Sequence, residues 1–190
     1  MSSSAPALKS LVSTALLLWA VSASAAERSP YEACYQRAGA RYGVSADLLR
    51  AVAIVESAEN PKAINQTHLE RTGSVDIGLM QINSRHLGAL AKQGISQRDL
   101  YQPCISVNVG AWLLRDLIGR YGSTWRAVGA YNASCTQLKA DACTQARLRY
   151  VSKVQRALSR LAHRSSGASP QNKLPLGRLQ ALRFDNQGAL

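Results

Sequence analysis

From Tyr31 to about Ala162 apolar residues recur at helical spacing between strong stop signals, with few alternating runs of strand type, and that pattern restricts the chain to a mainly α fold. A first helix is predicted over Glu32 to Tyr42, closed by Gly43, because glycine readily takes the left-handed geometry that ends helices. Ser45 is placed to cap a second helix with Asp47 in its first turn, and Asn60-Pro61 is expected to stop it. Polar, irregular chain over Asn65 to Gly73 then leads into an apolar turn segment, Gly78-Leu79-Met80-Gln81-Ile82-Asn83. A third helix is predicted from about Val107 to Tyr121, with Leu113, Leu114, Leu117 and Tyr121 on one face and Gly122 as its stop. A fourth runs from Trp125 to about Asn132 behind a Ser123 or Thr124 cap. The last spans Arg147 to about Ala162 and turns Leu148, Val151, Val154, Leu158 and Leu161 inward.

The 190 residues suit one domain with a real core, which excludes both a short disulfide peptide and an elaborate multidomain enzyme. With 18% charged and 6% aromatic residues and no internal repeat, most of the chain is expected to fold. The start does not belong to that fold. Lys9 precedes the apolar run Leu11 to Val21, too short to span a bilayer comfortably, and Ala23 and Ala25 form a small-residue cleavage site. Residues 1–26 therefore read as a secretory signal peptide, in preference to an uncleaved membrane anchor. Residues 27–162 form the domain, and residues 163–190, rich in Ser, Gly, Pro and Gln, read as a basic flexible tail.

Export places the four cysteines in an oxidising compartment, where an even number become staples. Of the three possible pairings, Cys135 with Cys143 is favoured because it closes a short local loop, which leaves Cys34 with Cys104. No metal is expected, since there is no CxxC and His68, His86 and His163 are scattered without ligand spacing.

One position in the second helix stands out chemically. Leu49, Val52, Ala53 and Glu56 fall at i, i+3, i+4 and i+7, so Glu56 continues an apolar stripe. A carboxylate held against apolar neighbours loses hydration of its charged form, and it keeps its proton nearer neutral pH, as a general acid must. The competing reading is a Glu that leans out at the helix end or pairs with Arg50 or Arg71.

Glu56-Ser57, Gly78-Leu79-Met80-Gln81-Ile82-Asn83, Ala130-Tyr131-Asn132-Ala133 and Tyr150-Val151 follow one another in that order across a domain-sized span. Together they resemble the soluble lytic transglycosylase domain, a goose-type lysozyme-like fold with a substrate cleft that cleaves peptidoglycan glycan strands. Within that family the chain looks most like small, exported, single-domain members associated with secretion, conjugation or pilus assembly systems. The resemblance implies that Glu56 is the single catalytic acid and base. It implies that Ser57, Met80, Gln81, Tyr131, Asn132 and Tyr150 bind substrate or line the cleft, with Tyr150 donating near the carboxyl. It implies no cofactor, a periplasmic location and peptidoglycan as the partner. Two features depart from the family pattern: Ser134 stands where Gly is usual, and the stretch Gln66 to Thr72 is longer.

The implied reaction is non-hydrolytic cleavage between N-acetylmuramic acid and N-acetylglucosamine, leaving anhydromuramoyl ends. Asp76 beside the Gly78 segment is taken as a turn residue; as a second carboxylate it would instead support ordinary hydrolysis by a muramidase. A third reading is a non-catalytic, basic, wall-binding scaffold. The net charge is +12, and Arg149, Lys153, Arg156, Arg160 and Arg164 project near one another from the last helix. No stacking aromatics interleave these cations, so nucleic acid is not the expected partner.

Overall fold

Gly43 and Ser45 make the first junction of the computed structural model, which describes residues 28–133 and 140–167. Helix α1 (Glu32–Tyr42) ends with Gly43 at φ 66°, and α2 (Ala46–Ser57) begins with the Ser45 hydroxyl accepting the Leu48 N–H. Three two-residue strands follow, β1 (Ile64–Asn65), β2 (Asp76–Ile77) and β3 (Ile82–Asn83), with the one-turn helix α3 (Leu69–Thr72) between the first two. They pair antiparallel in the order β1-β2-β3, with Asn65 opposite Asp76 and Asp76 opposite Asn83. The chain continues through α4 (Leu87–Ala91), α5 (Pro103–Tyr121), α6 (Trp125–Asn132) and α7 (Ala140–Gly167).

The mainly helical architecture is as predicted, and four boundaries differ. Helix α2 stops at Ser57, before Asn60-Pro61, and Ala58 and Glu59 both adopt left-handed φ values of 53° and 60°. The Glu59 carboxylate explains the early stop. It accepts hydrogen bonds from Ser29 Oγ at 2.5 Å and Tyr35 Oη at 3.0 Å, and lies 3.5 Å from Arg50 Nε, so the chain turns back toward α1. Helix α5 starts four positions earlier than its apolar face suggests, because Pro103 supplies the first turn with a preset φ and no N–H to satisfy. Helix α7 outruns its predicted span at both ends. Thr124 sits at the start of α6, yet its hydroxyl donates to the Tyr121 carbonyl instead of capping.

The core lies where α1, α2, α5 and α7 meet. Tyr35, Leu49, Val52, Val107, Leu114 and Val154 are each fully buried there, and each such side chain contributes about 1.5 to 3 kcal/mol over exposure. Of the five residues expected to face inward from α7, Val151, Val154 and Leu161 are buried and Leu158 is partly so. Leu148 is 60% exposed, because Arg147 before it packs against Gly129 of α6 and Tyr150 after it reaches Glu56 of α2.

A disulfide joins Cys34 in α1 to Cys104 in the first turn of α5, as predicted, with Cα atoms 4.8 Å apart. Cys143 is also disulfide-bonded, while Cys135 and Ser134 lie outside the described residues. The stretch read as a signal peptide, residues 1–26, lies outside them too, as does the expected tail of residues 163–190 from position 168 on. Among the described residues no helix is long and apolar enough to cross a membrane.

Candidate functional site

The apolar stripe of α2 carries Glu56 inward as its spacing requires: Leu49, Val52 and Ala53 are completely buried, and the next position on that face is Glu56. Helix α7 packs against α2 and brings Tyr150, whose hydroxyl donates to Glu56 Oε1 at 2.6 Å. Glu56 keeps part of its surface open to a cleft of about 660 Å³. Protein nevertheless surrounds the carboxyl closely, and loss of hydration pushes its pKa up to about 7. The Tyr150 hydrogen bond opposes that rise by favouring the charged form; the Asp76 charge adds to it and Lys153 opposes it. Burial and the facing Glu56 carboxylate hold the Tyr150 hydroxyl well above the usual phenol range, so it remains a donor.

The turn between β2 and β3 forms the next part of the lining. Gly78 has φ 75°, and a Cβ there would fall 2.1 Å from the Leu100 carbonyl oxygen, so both conformation and space demand glycine. Three side chains anchor this turn through its backbone. Ser57 Oγ donates to the Leu79 carbonyl at 2.7 Å, Ser106 Oγ accepts the Met80 N–H at 3.1 Å, and Tyr131 Oη donates to the Met80 carbonyl at 3.0 Å. Gly110 of α5 permits the packing beneath, since a Cβ would meet Met80 Cε at 2.7 Å and Tyr131 Oη at 3.0 Å. Gln81 sits at φ 47° and braces its own turn by donating to the Gly78 carbonyl at 2.8 Å.

Of the residues singled out in the sequence, Glu56, Gln81, Tyr131 and Asn132 line the cleft. Ser57, the fully buried Met80 and Tyr150 stand behind that lining, where they hold the turn and the carboxyl.

Asp76 is not the turn residue expected; it belongs to β2 and faces the cleft. Its carboxylate accepts from His68 Nε2 at 2.7 Å, Asn83 Nδ2 at 2.7 Å and Asn65 Nδ2 at 3.3 Å. The strand register explains the cluster, since Asn65 and Asn83 are the direct partners of Asp76 on either side. His68 comes from the long polar stretch before β2, and with Asp76 as acceptor its Nε2 bears the proton. These three partners went unnoticed in the sequence, where Asp76-Ile77 and Ile82-Asn83 around a glycine turn were the available signal of a hairpin. The cleft thus holds two carboxyls in different settings, one desolvated and the other hydrogen-bonded by three donors. Among the described residues no group of His, Cys, Asp and Glu is placed to hold a metal ion.

Comparison with known proteins agrees with this architecture. A family model described as the transglycosylase SLT domain matches residues 33–148. Invasion protein IagB of Salmonella typhi is 40% identical over 159 residues, covering 83% of this chain and 91% of that protein. Protein IpgF of Shigella flexneri is 39% identical over 133 residues, 70% of this chain and 83% of its own. The X polypeptide of Escherichia coli is 34% identical over 151 residues, 79% of this chain and 86% of its own.

Proposed function

The chain belongs to the transglycosylase SLT domain family, and from that premise we propose that it is a peptidoglycan lytic transglycosylase with Glu56 as its single acid and base. The observation that carries the reading is a carboxyl at the end of an apolar stripe, open to a cleft, with a pKa near 7 and a phenol donating to it. Such a group is protonated when substrate arrives and basic once its proton has gone, so it suits both halves of the reaction.

Glu56 protonates the oxygen between N-acetylmuramic acid and N-acetylglucosamine. As the C1–O bond breaks, the muramoyl acetamido oxygen bonds to C1 and gives an oxazolinium, so no enzyme nucleophile is needed. The Glu56 carboxylate then takes the proton of the C6 hydroxyl while that oxygen attacks C1 and expels the acetamido oxygen. The products are a 1,6-anhydromuramoyl end and a free N-acetylglucosamine 4-hydroxyl, with no water consumed. Gln81, Tyr131 and Asn132 are the lining groups assigned to the sugar, and Ser57, Met80 and Tyr150 to support of the turn and carboxyl.

Asp76 supports a second reading, because a donor-held carboxylate in the same cleft is equipped to orient a water for hydrolysis. Product mass separates the two. Incubated with peptidoglycan sacculi, the protein is expected to release muropeptides ending in anhydromuramic acid; products heavier by one water, with reducing ends, would assign the muramidase reaction instead.

The reading extends to place. A disulfide across the core fits an oxidising compartment, and with the leader-like start it supports export to the periplasm and local wall remodelling around an envelope-spanning assembly. The Salmonella typhi relative bears the name invasion protein, which is consistent with that setting.

Because the first step needs protonated Glu56, kcat/KM is expected to fall as pH rises through about 7. Tyr150→Phe removes a bond that favours the carboxylate, so the Glu56 pKa rises further and this descending limb moves to higher pH by about one unit. A pH–rate profile checks it, and a limb that stays in place or moves to lower pH would contradict the assignment.

A further inference from the structure

The polar stretch Gln66 to Thr72, longer than the family pattern, supplies two cleft-lining side chains that the reaction above leaves unused, His68 and Thr72. They close a ring of hydrogen bonds around Asp76. His68 Nε2 donates to Asp76 Oδ2 at 2.7 Å, which leaves Nδ1 as an acceptor. Thr72 Oγ1 lies 2.8 Å from Nδ1, the shortest contact of that hydroxyl, and donates to it. Ser74 Oγ, 3.0 Å from Thr72 Oγ1, in turn accepts from Asn83 Nδ2 at 3.1 Å, and the same amide donates to Asp76 Oδ1 at 2.7 Å. The donor order is thereby fixed all the way round. Asn83 directs one amide hydrogen to Oδ1 and the other to Ser74, and the two hydroxyls carry the sequence through His68 to Oδ2. Arg85 clamps the far side by donating to the Thr72 carbonyl at 2.6 Å. Asn65 Nδ2 adds a second bond to Oδ2 at 3.3 Å, so three of the four acceptor sites of this carboxylate are occupied and the one left is on Oδ1. The His68 and Asp76 side chains are only 18% and 19% exposed, so little water competes for these bonds.

After the first step the muramoyl intermediate can be closed by its own C6 hydroxyl or by a water. The hydroxyl is carried on the sugar and needs no binding, whereas a water needs a carboxylate to hold it and take its proton. In this cleft that carboxylate is Asp76, because Glu56 serves the C6 hydroxyl. We propose that His68 is a positioning residue that decides the product: by holding Oδ2 within the ring it withholds Asp76 from water, and the intermediate closes on itself. The inference rests on the glycan-cleaving reading above and goes beyond it by assigning the residue that keeps cleavage non-hydrolytic. With Oδ2 released, a water held there attacks C1, and the bond from C1 to the acetamido oxygen breaks with its electron pair returning to the acetamido group. The water proton goes to Oδ2 and on through solvent to Glu56, and the product is a reducing muramoyl end.

The test reads, by mass, the share of reducing ends among muropeptides released from sacculi. That share is a ratio of two products, so a variant that only folds less well lowers the total and leaves the ratio where it was. His68→Ala is expected to raise the share about tenfold over the wild type, the effect of one hydrogen bond to a charged group. His68→Gln should keep it low, because its amide nitrogen reaches about as far as the imidazole Nε2 and donates likewise. Thr72→Val keeps the side-chain shape but loses the donor to Nδ1, and should raise the share by a smaller factor, about threefold. Adding Asp76→Asn to His68→Ala should return it to the wild-type value, since an amide takes no proton from water. An unchanged share in His68→Ala, an equal rise in His68→Gln, or a rise that persists in the double variant overturns the role of His68 while leaving glycan cleavage standing. Reducing ends as the main product of the wild type, or no release at all, overturn the reading of the cleft, and the assignment of His68 with it.

Discussion

Glu56→Gln is expected to lower kcat on peptidoglycan by at least about a thousandfold, since a positioned general acid and base is worth roughly 10² to 10⁴ and this group serves both steps. Gln has the same shape and still accepts from the Tyr150 hydroxyl, so the loss isolates proton transfer from packing. Asp76 offers no ready substitute, because His68, Asn65 and Asn83 already occupy its carboxylate oxygens with hydrogen bonds. The same variant should be the more stable protein at alkaline pH. Glu56 titrates near 7 in the fold against a reference of 4.5, so the folded chain binds the extra proton between those values. The stability associated with Glu56 is therefore complete below about pH 4.5 and is lost as pH rises through 7, where folding must accommodate a desolvated anion. Gln escapes that loss. The stability gained by the variant should grow from near zero at pH 4.5 to about 2 to 3 kcal/mol at pH 8. Paired urea titrations at pH 5 and pH 8 read the difference. An inactive variant with the same advantage at both pH values would mean that the carboxyl is not desolvated, and an active one would remove Glu56 from the chemistry.

Glu56 was legible in advance because everything that places it is local. A stripe at i, i+3, i+4 and i+7 needs only a helix, and Gly43 with Ser45 marked where that helix starts. The order of the four motifs conveyed the rest of the architecture. What stayed hidden depends on tertiary partners. Strands of two residues are too short to show a period of two, so Asp76 read as a turn until Asn65 and Asn83 paired on either side of it. The end of α2 was misplaced because Glu59, thirty residues beyond Ser29 in the chain, is drawn back to Ser29 and Tyr35; no neighbouring residue announces that pull. Leu148 looked like core by periodicity alone, yet α7 meets α2 and α6 along a different strip of its surface. The cleft-lining arginines Arg71, Arg85, Arg120 and Arg147 come from α3, the turn after β3, α5 and α7, and nothing in their sequence positions hints that they share one cleft.

Replacing both Cys34 and Cys104 by Ser is expected to cost about 4 kcal/mol of unfolding free energy. The bridged residues are separated by 70 positions, so the cross-link removes a long loop's worth of freedom from the unfolded chain, and the entropy model gives a value of that size. The bond also ties α1 to the first turn of α5, the helices that together bury Tyr35, Val107 and Leu114. Domains of this size are stable by only about 5 to 15 kcal/mol, so the loss takes a large share of the margin. The effect should appear as a lower urea midpoint with little change in native activity at 25 °C, because the bond lies away from the cleft lining. The wild type under strong reductant should approach the variant. It follows that folding in a reducing compartment would cost the domain this part of its margin, which an oxidising compartment supplies. A loss below about 1 kcal/mol would show that α1 and α5 hold together by packing alone and would separate the disulfide from any argument about location.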